Sequence, residues 1–225
     1  MNDFQRTTAW YLARKGMLTA SEIVNILTKG KTKDAVFGKT ALSYLNEKIA
    51  ERFMDNEQFV FYCEDVKKSS PAMRWGTEYE DTARQVYEMA TGKTVTDEPF
   101  QTLKGYENYV GGSPDGRLST LDGIIEIKCP YNPAVHLEHI SWKEPKDLLA
   151  GNPQYYAQVQ ANMLITGTDY CDFISYSPLY RDKLDLGILT VPRDKEYLDN
   201  LMERIDLSVE YIKKYEDMLN MLKAA

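Results

Sequence analysis

Histidine and cysteine are scarce in this chain, with two histidines and three cysteines in 225 residues. The cysteines, Cys63, Cys129 and Cys171, lie far apart and form no Cys-x-x-Cys pair. That excludes a zinc ribbon, and an odd, scattered set fits a reducing compartment rather than a disulfide framework. No apolar run approaches the roughly 18 residues of a helical membrane span, so no membrane association is expected. The opening residues, Met1-Asn2-Asp3-Phe4-Gln5-Arg6, lack the basic-then-apolar pattern of a secretion signal, which points to the cytoplasm. Positive charge is also in deficit: 27 Lys and Arg face 34 Asp and Glu, a net of −7. Such a balance argues against a protein that coats nucleic acid without specificity. Internal repeats and low-complexity tracts are missing as well.

What is present is a globular composition, 43% hydrophobic with 16 tyrosines. The length suits one large domain or two small ones. We read it as a single α/β domain over 1–225. Charge is unevenly spread. Residues 1–54 hold nine basic and five acidic side chains, and residues 194–223 hold five basic and eight acidic. A basic N-terminal part facing an anionic ligand would fit, and so would ordinary surface variation.

The stretch Ser113-Pro114-Asp115-Gly116, followed by Ile124-Ile125-Glu126-Ile127-Lys128, organises the rest. The second segment is apolar and β-branched apart from two charges, as strands are. Side chains alternate along a strand, so Glu126 and Lys128 share a face with Ile124, while Ile125 and Ile127 take the other. Thr120-Leu121-Asp122-Gly123 is a turn signal. Folding back there brings Asp115 close to Glu126. One reading is a Glu–Lys ion pair on a solvated sheet face. The other starts from the cost of burying unpaired charge. Asp plus Glu then makes a hard oxygen site suited to Mg²⁺, with Lys128 able to hold a water or stabilise a developing oxyanion.

Pro-Asp, a spacer and Glu-x-Lys together resemble the PD-(D/E)-x-K nuclease motif. The surrounding words resemble the family of phage lambda exonuclease and its viral recombinase relatives. The matching stretches are Leu18-Thr19-Ala20-Ser21-Glu22, Trp75-Gly76-Thr77-Glu78-Tyr79-Glu80, Ser113-Pro114-Asp115-Gly116, Glu126-Ile127-Lys128-Cys129-Pro130 and Ala157-Gln158-Val159-Gln160. They occur in the family's order. The resemblance implies a restriction-endonuclease-like core, a mixed central β-sheet flanked by helices. It implies a Mg²⁺-dependent 5′→3′ double-strand DNA exonuclease, with Mn²⁺ as a substitute and two ions per site. The products would be 3′ single-stranded overhangs for recombination by strand annealing. It further implies a homotrimeric ring around DNA, a single-strand annealing protein as partner, and a phage or prophage origin in bacterial cytoplasm.

Residue by residue, the resemblance makes Asp115, Glu126 and the Ile127 carbonyl the metal ligands and Lys128 the group that positions or deprotonates water. Glu80 faces the metal site, against the plain alternative of an i,i+4 pair with Arg84. Gln158 lies near the lysine, although Asn162 stands where the family has a companion tyrosine. Arg14, Ser21 and Ser113 form a pocket for the DNA 5′-phosphate; a helix cap plus a surface arginine is the simpler account of the first two. Met73 takes the place of an apolar wedge that parts the terminal base pairs, or packs at a helix start. An endonuclease of the same fold, or an inactive DNA-binding relative, remains a rival reading.

The other elements follow from periodicity. Trp10–Lys15 is a short amphipathic piece ending at Gly16. A helix begins at Thr19 with a Thr19/Glu22 capping box. Helices are expected at 39–54, 73–90, partly within 134–150, from Asn152-Pro153 to Thr166, and at 194–223. Strands are expected at 59–62, 94–96, 98–102, 172–176 and 186–191. Gly111 and Gly112 allow a close backbone approach. His136 and His139, three apart, have no third ligand and are assigned surface or packing roles. Lys29-Gly30-Lys31-Thr32-Lys33 and the loop around Arg181 and Lys183 are basic. The last helix is expected to dock on its own chain through a seam from Leu198 to Leu222.

Overall fold

The computed structural model describes residues 7–32, 35–67, 70–120 and 122–224. The opening segment 1–6, Lys33 of the first basic loop and Leu121 of the hairpin turn lie outside them. At the centre is β6 (Gly123–Lys128), the β-branched run flanked by turn residues. It pairs antiparallel with β5 (Gly116–Leu118), Gly116 opposite Ile125. On its other edge β6 runs parallel to β7 (Tyr170–Tyr176), with Glu126 opposite Phe173 and Lys128 opposite Ser175. Adding β2 (Val95–Thr96) and β8 (Leu186–Pro192) gives a mixed five-stranded sheet in the order β2-β5-β6-β7-β8. A smaller sheet joins β1 (Leu18–Thr19), β4 (Val110–Gly112) and β3 (Gln101–Thr102) in the order β1-β4-β3.

Parallel pairing demands a crossover. Here α5 (Pro133–Ser141), α6 (Pro145–Gly151) and α7 (Pro153–Thr166) supply it between β6 and β7. The alternation expected along β6 holds. Ile125 and Ile127 pack with Ile174 and Tyr176 against Ala83 and Tyr87 of α4 (Pro71–Thr91). Ile124 packs with Phe173 and Val191 against Tyr156, Val159 and Met163 of α7. Helices therefore cover both faces, as the mixed α/β reading required. Local signals end the helices where they should. Ser70 accepts from the Met73 N–H at 3.2 Å, Asn152 accepts from the Tyr155 N–H at 3.0 Å, and left-handed Gly92 and Gly167 close α4 and α7.

Several expectations are corrected. Residues 59–62 are not a strand. Asn56–Phe61 is helix α3, capped by Asp55, and Tyr62–Val66 continues it as a π-turn. Burial of Phe59 beneath this helix outweighs the β-propensity of Phe59-Val60-Phe61. The capping box at Thr19 does not form. Thr19 belongs to β1 and gives its N–H to Tyr44 Oη at 3.2 Å, and Ala20–Leu27 is a 3-10 helix. Strand material at 98–102 shrinks to β3. The approach allowed by Gly112 is made by α7, since a Cβ there would lie 2.5 Å from Asn162 Oδ1.

The final helix, α8 (Lys195–Ala224), docks on its own chain. Leu198, Leu201, Ile205, Val209 and Ile212 share a core with Leu18, Ile23, Leu45 and Ala157, linking the 3-10 helix, α7 and α2 (Lys39–Phe53). The seam stops short of its expected end, because Leu222 is exposed. Ile205→Ala is therefore expected to lower unfolding free energy by about 2–4 kcal/mol. Leu222→Ala should stay within about 0.5 kcal/mol of wild type. Urea melts of the two variants check both.

Candidate active site

The bend before β5 places Asp115 beside β6. Its N–H donates to the Ile125 carbonyl at 3.1 Å, and its Oδ2 accepts from the Ile127 N–H at 2.6 Å. A strand residue projects its N–H and C=O to the same edge, so the Ile127 carbonyl also faces the Asp115 side. Pro114 has no N–H to offer it. Asp115 thus bonds to the residues on either side of Glu126, close enough for its charge to push the Glu126 carboxylate upward.

Glu126 is 1% exposed and collects three donors. Its Oε1 accepts from Lys128 Nζ at 2.7 Å and Gln158 Nε2 at 2.6 Å, and its Oε2 accepts from Asn162 Nδ2 at 3.1 Å. Lys128 Nζ also donates to Gln158 Oε1 at 3.1 Å and lies 4.7 Å from the centre of the Tyr155 ring. Burial pushes Glu126 upward, to about 8, and the facing Asp115 adds to it against the pull of Lys128. Asp115 is raised for the same first reason, burial, and drawn back by Lys128, by the Ile127 N–H and by Arg84. Burial pulls Lys128 the other way, yet Glu126 and Asp115 outweigh it and its pKa is raised, so the ammonium stays protonated. An ammonium has three donors. Glu126 and Gln158 engage two, which leaves one for an incoming oxygen.

The Glu–Lys ion pair expected in the plain reading does form, but in a buried site. Among the described residues no group of three or more His, Cys, Asp or Glu side chains forms a metal cage. The donor set that fits a hard cation is two carboxylates and the Ile127 carbonyl, all oxygen. Mg²⁺ accepts such sparse sites because it keeps several waters. Two crowded carboxylates raised by burial are also what a divalent cation would relieve.

Glu80 stands on α4 close enough to push Glu126 upward. Arg84, one turn later, reaches across the sheet instead of serving only its own helix. It donates to the Asp115 carbonyl and, at 2.5 Å, to Asp97. Arg84, Asn162 and Tyr155 are the site residues that sequence reasoning missed. Asn162 carried the one available signal, its position four residues after Gln158.

A cleft of about 760 Å³ opens onto this centre. Arg14, Ser21, Met73, Ser113, Asp115 and Gln158 all line it, so residues more than 140 positions apart in sequence meet in one hollow. The Arg14 guanidinium is stacked between Trp10, at 3.9 Å, and Phe100, at 4.4 Å, and donates to the Trp10 carbonyl at 3.1 Å. Burial lowers Arg14 to about 10, which leaves it cationic at neutral pH. Ser21 sits in the first turn of the 3-10 helix, its hydroxyl 3.4 Å from that of Thr19. Met73, 54% exposed, follows the start of α4 at the rim. Lys48, Glu51 and Lys67 also line the cleft, and no sequence motif marked them. The two histidines lie elsewhere. His136 and His139 are buried and both contact Ser175 Oγ, at 2.9 and 3.0 Å, so their role is packing and the surface alternative falls away.

Residues 9–169 match the YqaJ-like viral recombinase domain. The whole chain is similar in structure to an alkaline exonuclease (LHK-Exo) from Laribacter hongkongensis. The identity is 27%, the TM-score is 0.76, and 97% of this chain and 98% of that chain are covered. The same values hold for LHK-Exo in complex with dAMP. A phage related exonuclease from Haemophilus somnus 129PT shares the fold at 15% identity and a TM-score of 0.67, covering 90% of this chain and 96% of that one. No match is found among curated proteins.

The raised carboxylate predicts a pH signature. A group whose pKa rises on folding stabilises the fold at low pH, and that contribution is lost as pH climbs through the folded value. For Glu126 the window runs from near 4.5 to about 8. Glu126→Gln cannot lose a proton, so its melting temperature relative to wild type should rise from pH 5 to about pH 8 in EDTA and level off above that. A flat difference across that range would contradict the raised value.

Proposed function

The chain belongs to the YqaJ-like viral recombinase domain family and is a deoxyribonuclease of exonuclease type; from that premise we propose that it is a Mg²⁺-dependent enzyme degrading double-stranded DNA 5′→3′. In this reading it acts as a single catalytic domain spanning 1–225 and leaves 3′ single-stranded overhangs for annealing-based recombination. The observation that carries the proposal is the Asp115–Glu126–Lys128 cluster, whose Asp115 lines a cleft that also holds a stacked, cationic Arg14.

Asp115, Glu126 and the Ile127 carbonyl would hold Mg²⁺, with Mn²⁺ as a substitute and room in the reading for two ions. When bound, the ions supply Lewis acidity towards phosphoryl oxygens and a water of lowered pKa. The remaining work falls to the chain itself. Lys128, held protonated, donates its third N–H to the attacking water or to a phosphoryl oxygen; this favours positioning over proton abstraction. Gln158 bridges Lys128 and Glu126 and keeps the ammonium from swinging away. Glu80 adds negative potential from α4, which favours a cation at the carboxylates. Arg14 and the Ser21 and Ser113 hydroxyls would take the 5′-phosphate of the terminal nucleotide, an anion that a half-buried guanidinium binds strongly. Met73 at the rim would wedge between the terminal base pairs. We also place the enzyme in bacterial cytoplasm, encoded by a phage or prophage, as a trimeric ring partnered by a single-strand annealing protein.

Two measurements test this reading. Lys128→Ala should lower cleavage by about 10³-fold, comparable to removing a key transition-state donor, while DNA affinity in EDTA stays near wild type. Undiminished cleavage would remove Lys128 from the mechanism. A time course on end-labelled linear duplex with Mg²⁺ should release nucleotides from the 5′ end and leave covalently closed circles intact. Cutting of the circles would instead make the enzyme an endonuclease of the same fold.

A further inference from the structure

Gly16 joins the short helix α1 (Thr8–Leu12) and its following turns to β1, and its φ of +65° is in the left-handed region. Both of its main-chain polar groups are held by adjacent residues of α2. Its N–H donates to Glu51 Oε2 at 3.1 Å, and its carbonyl accepts from Arg52 Nη1 at 3.1 Å. A Cβ at this position would overlap Arg52 Cγ, so the clamp fits only glycine.

The clamp is itself anchored. Glu51 is 2% exposed and pairs with Lys48 at 3.1 Å and Lys67 at 3.3 Å. Arg52 pairs with Glu216 of α8 at 2.5 Å and packs over the Tyr109 ring at 4.7 Å. The same Arg52 Nη1 donates to the Asn108 carbonyl at 2.8 Å. Asn108 lies two residues before the strand β4 that leads into Ser113. Arg14 is two residues upstream of Gly16, and its carbonyl accepts from the Met17 N–H at 3.1 Å across the turn. One arginine therefore ties together the segment that carries Arg14 and the segment that delivers Ser113.

A chain reversal needs only a glycine. Two neighbouring charged side chains, taken largely out of water, are costly additions to it. We infer that Glu51 and Arg52 are positioning residues for recognition of the 5′-phosphorylated DNA end, setting Arg14 and Ser113 at the spacing that one phosphate requires. This rests on the phosphate pocket proposed above. Neither residue reaches the Asp115–Glu126–Lys128 centre, so the effect is on which end is bound rather than on bond cleavage.

The test is fluorescence anisotropy of the full chain with a blunt duplex bearing a 5′-phosphate or a 5′-hydroxyl, in EDTA. The readout is the ratio of the two dissociation constants. Arg14→Ala should bring the ratio to about one by removing a charge-assisted contact. Arg52→Lys keeps the charge, but its single ammonium cannot replace both Nε, which holds Glu216, and Nη1, which holds Gly16 and Asn108. It should lower the ratio about 10-fold, the scale set by a small misplacement, with hydroxyl-end affinity changed less than about two-fold. Glu51→Gln, which keeps an oxygen for the Gly16 N–H, should hold the ratio closer to wild type than Glu51→Ala does. If Glu51→Ala does not fold, Arg52→Lys decides. A wild-type ratio in Arg52→Lys, or equal loss for both ends, overturns the clamp while Arg14→Ala still abolishes the preference. An unchanged ratio in Arg14→Ala instead refutes the phosphate pocket, and the clamp with it.

Discussion

Two carboxylates held side by side, one of them almost wholly out of water, are the constraint around which this protein is built. Asp115 is held beside Glu126 by its hydrogen bonds to the Ile125 carbonyl and the Ile127 N–H. Glu126 is almost wholly buried, and its surroundings answer with donors from three directions: Lys128 from its own strand, and Gln158 and Asn162 from α7. Such an arrangement is tolerable only when every lone pair has a partner or a cation arrives. The Glu126 carboxyl is pushed up to about 8 because the protein's own donors do not fully offset burial and the second acid.

The rest of the sheet serves that placement. Ile125 and Ile127 key β6 onto α4, and Ile124 keys it onto α7, so a slip by one residue would reverse both cores at once. α4 then contributes twice to the acids: Glu80 by its field and Arg84 by its grip on the Asp115 carbonyl. Gly112 lets α7 approach closely enough for Asn162 to reach Glu126. The buried His136–Ser175–His139 contact fills the sheet next to Lys128, since Ser175 is the register partner of that lysine.

The two acids and Arg14 are mounted on different parts of the framework. The acids hang on the five-stranded sheet. Arg14 and its neighbours hang on the smaller sheet, on α2 and on α8, through Glu51, Arg52 and Glu216. The cleft lies where the two meet. In the proposed function such a division would let preference for an end and rate of chemistry vary separately.

Local order made the centre legible. Period-two alternation put Glu126 and Lys128 on one face, a Pro-Asp-Gly bend brought Asp115 beside them, and helical spacing with Ser70, Asn152, Gly92 and Gly167 marked α4 and α7. Interactions between sequence neighbours carry these features, so spacing alone reveals them. Other features depend on partners remote in the chain. Phe59-Val60-Phe61 has strand propensity but is helical because Phe59 finds a core to enter. Thr19 and Glu22 spell a capping box, yet pairing of β1 with β4 claims Thr19 first. Arg84 on Asp115, Tyr155 under Lys128, and Glu51 with Arg52 around Gly16 follow from which elements pack together. No period records those meetings, because a side chain's far partner is chosen by the packing of whole helices and sheets rather than by residues along the chain.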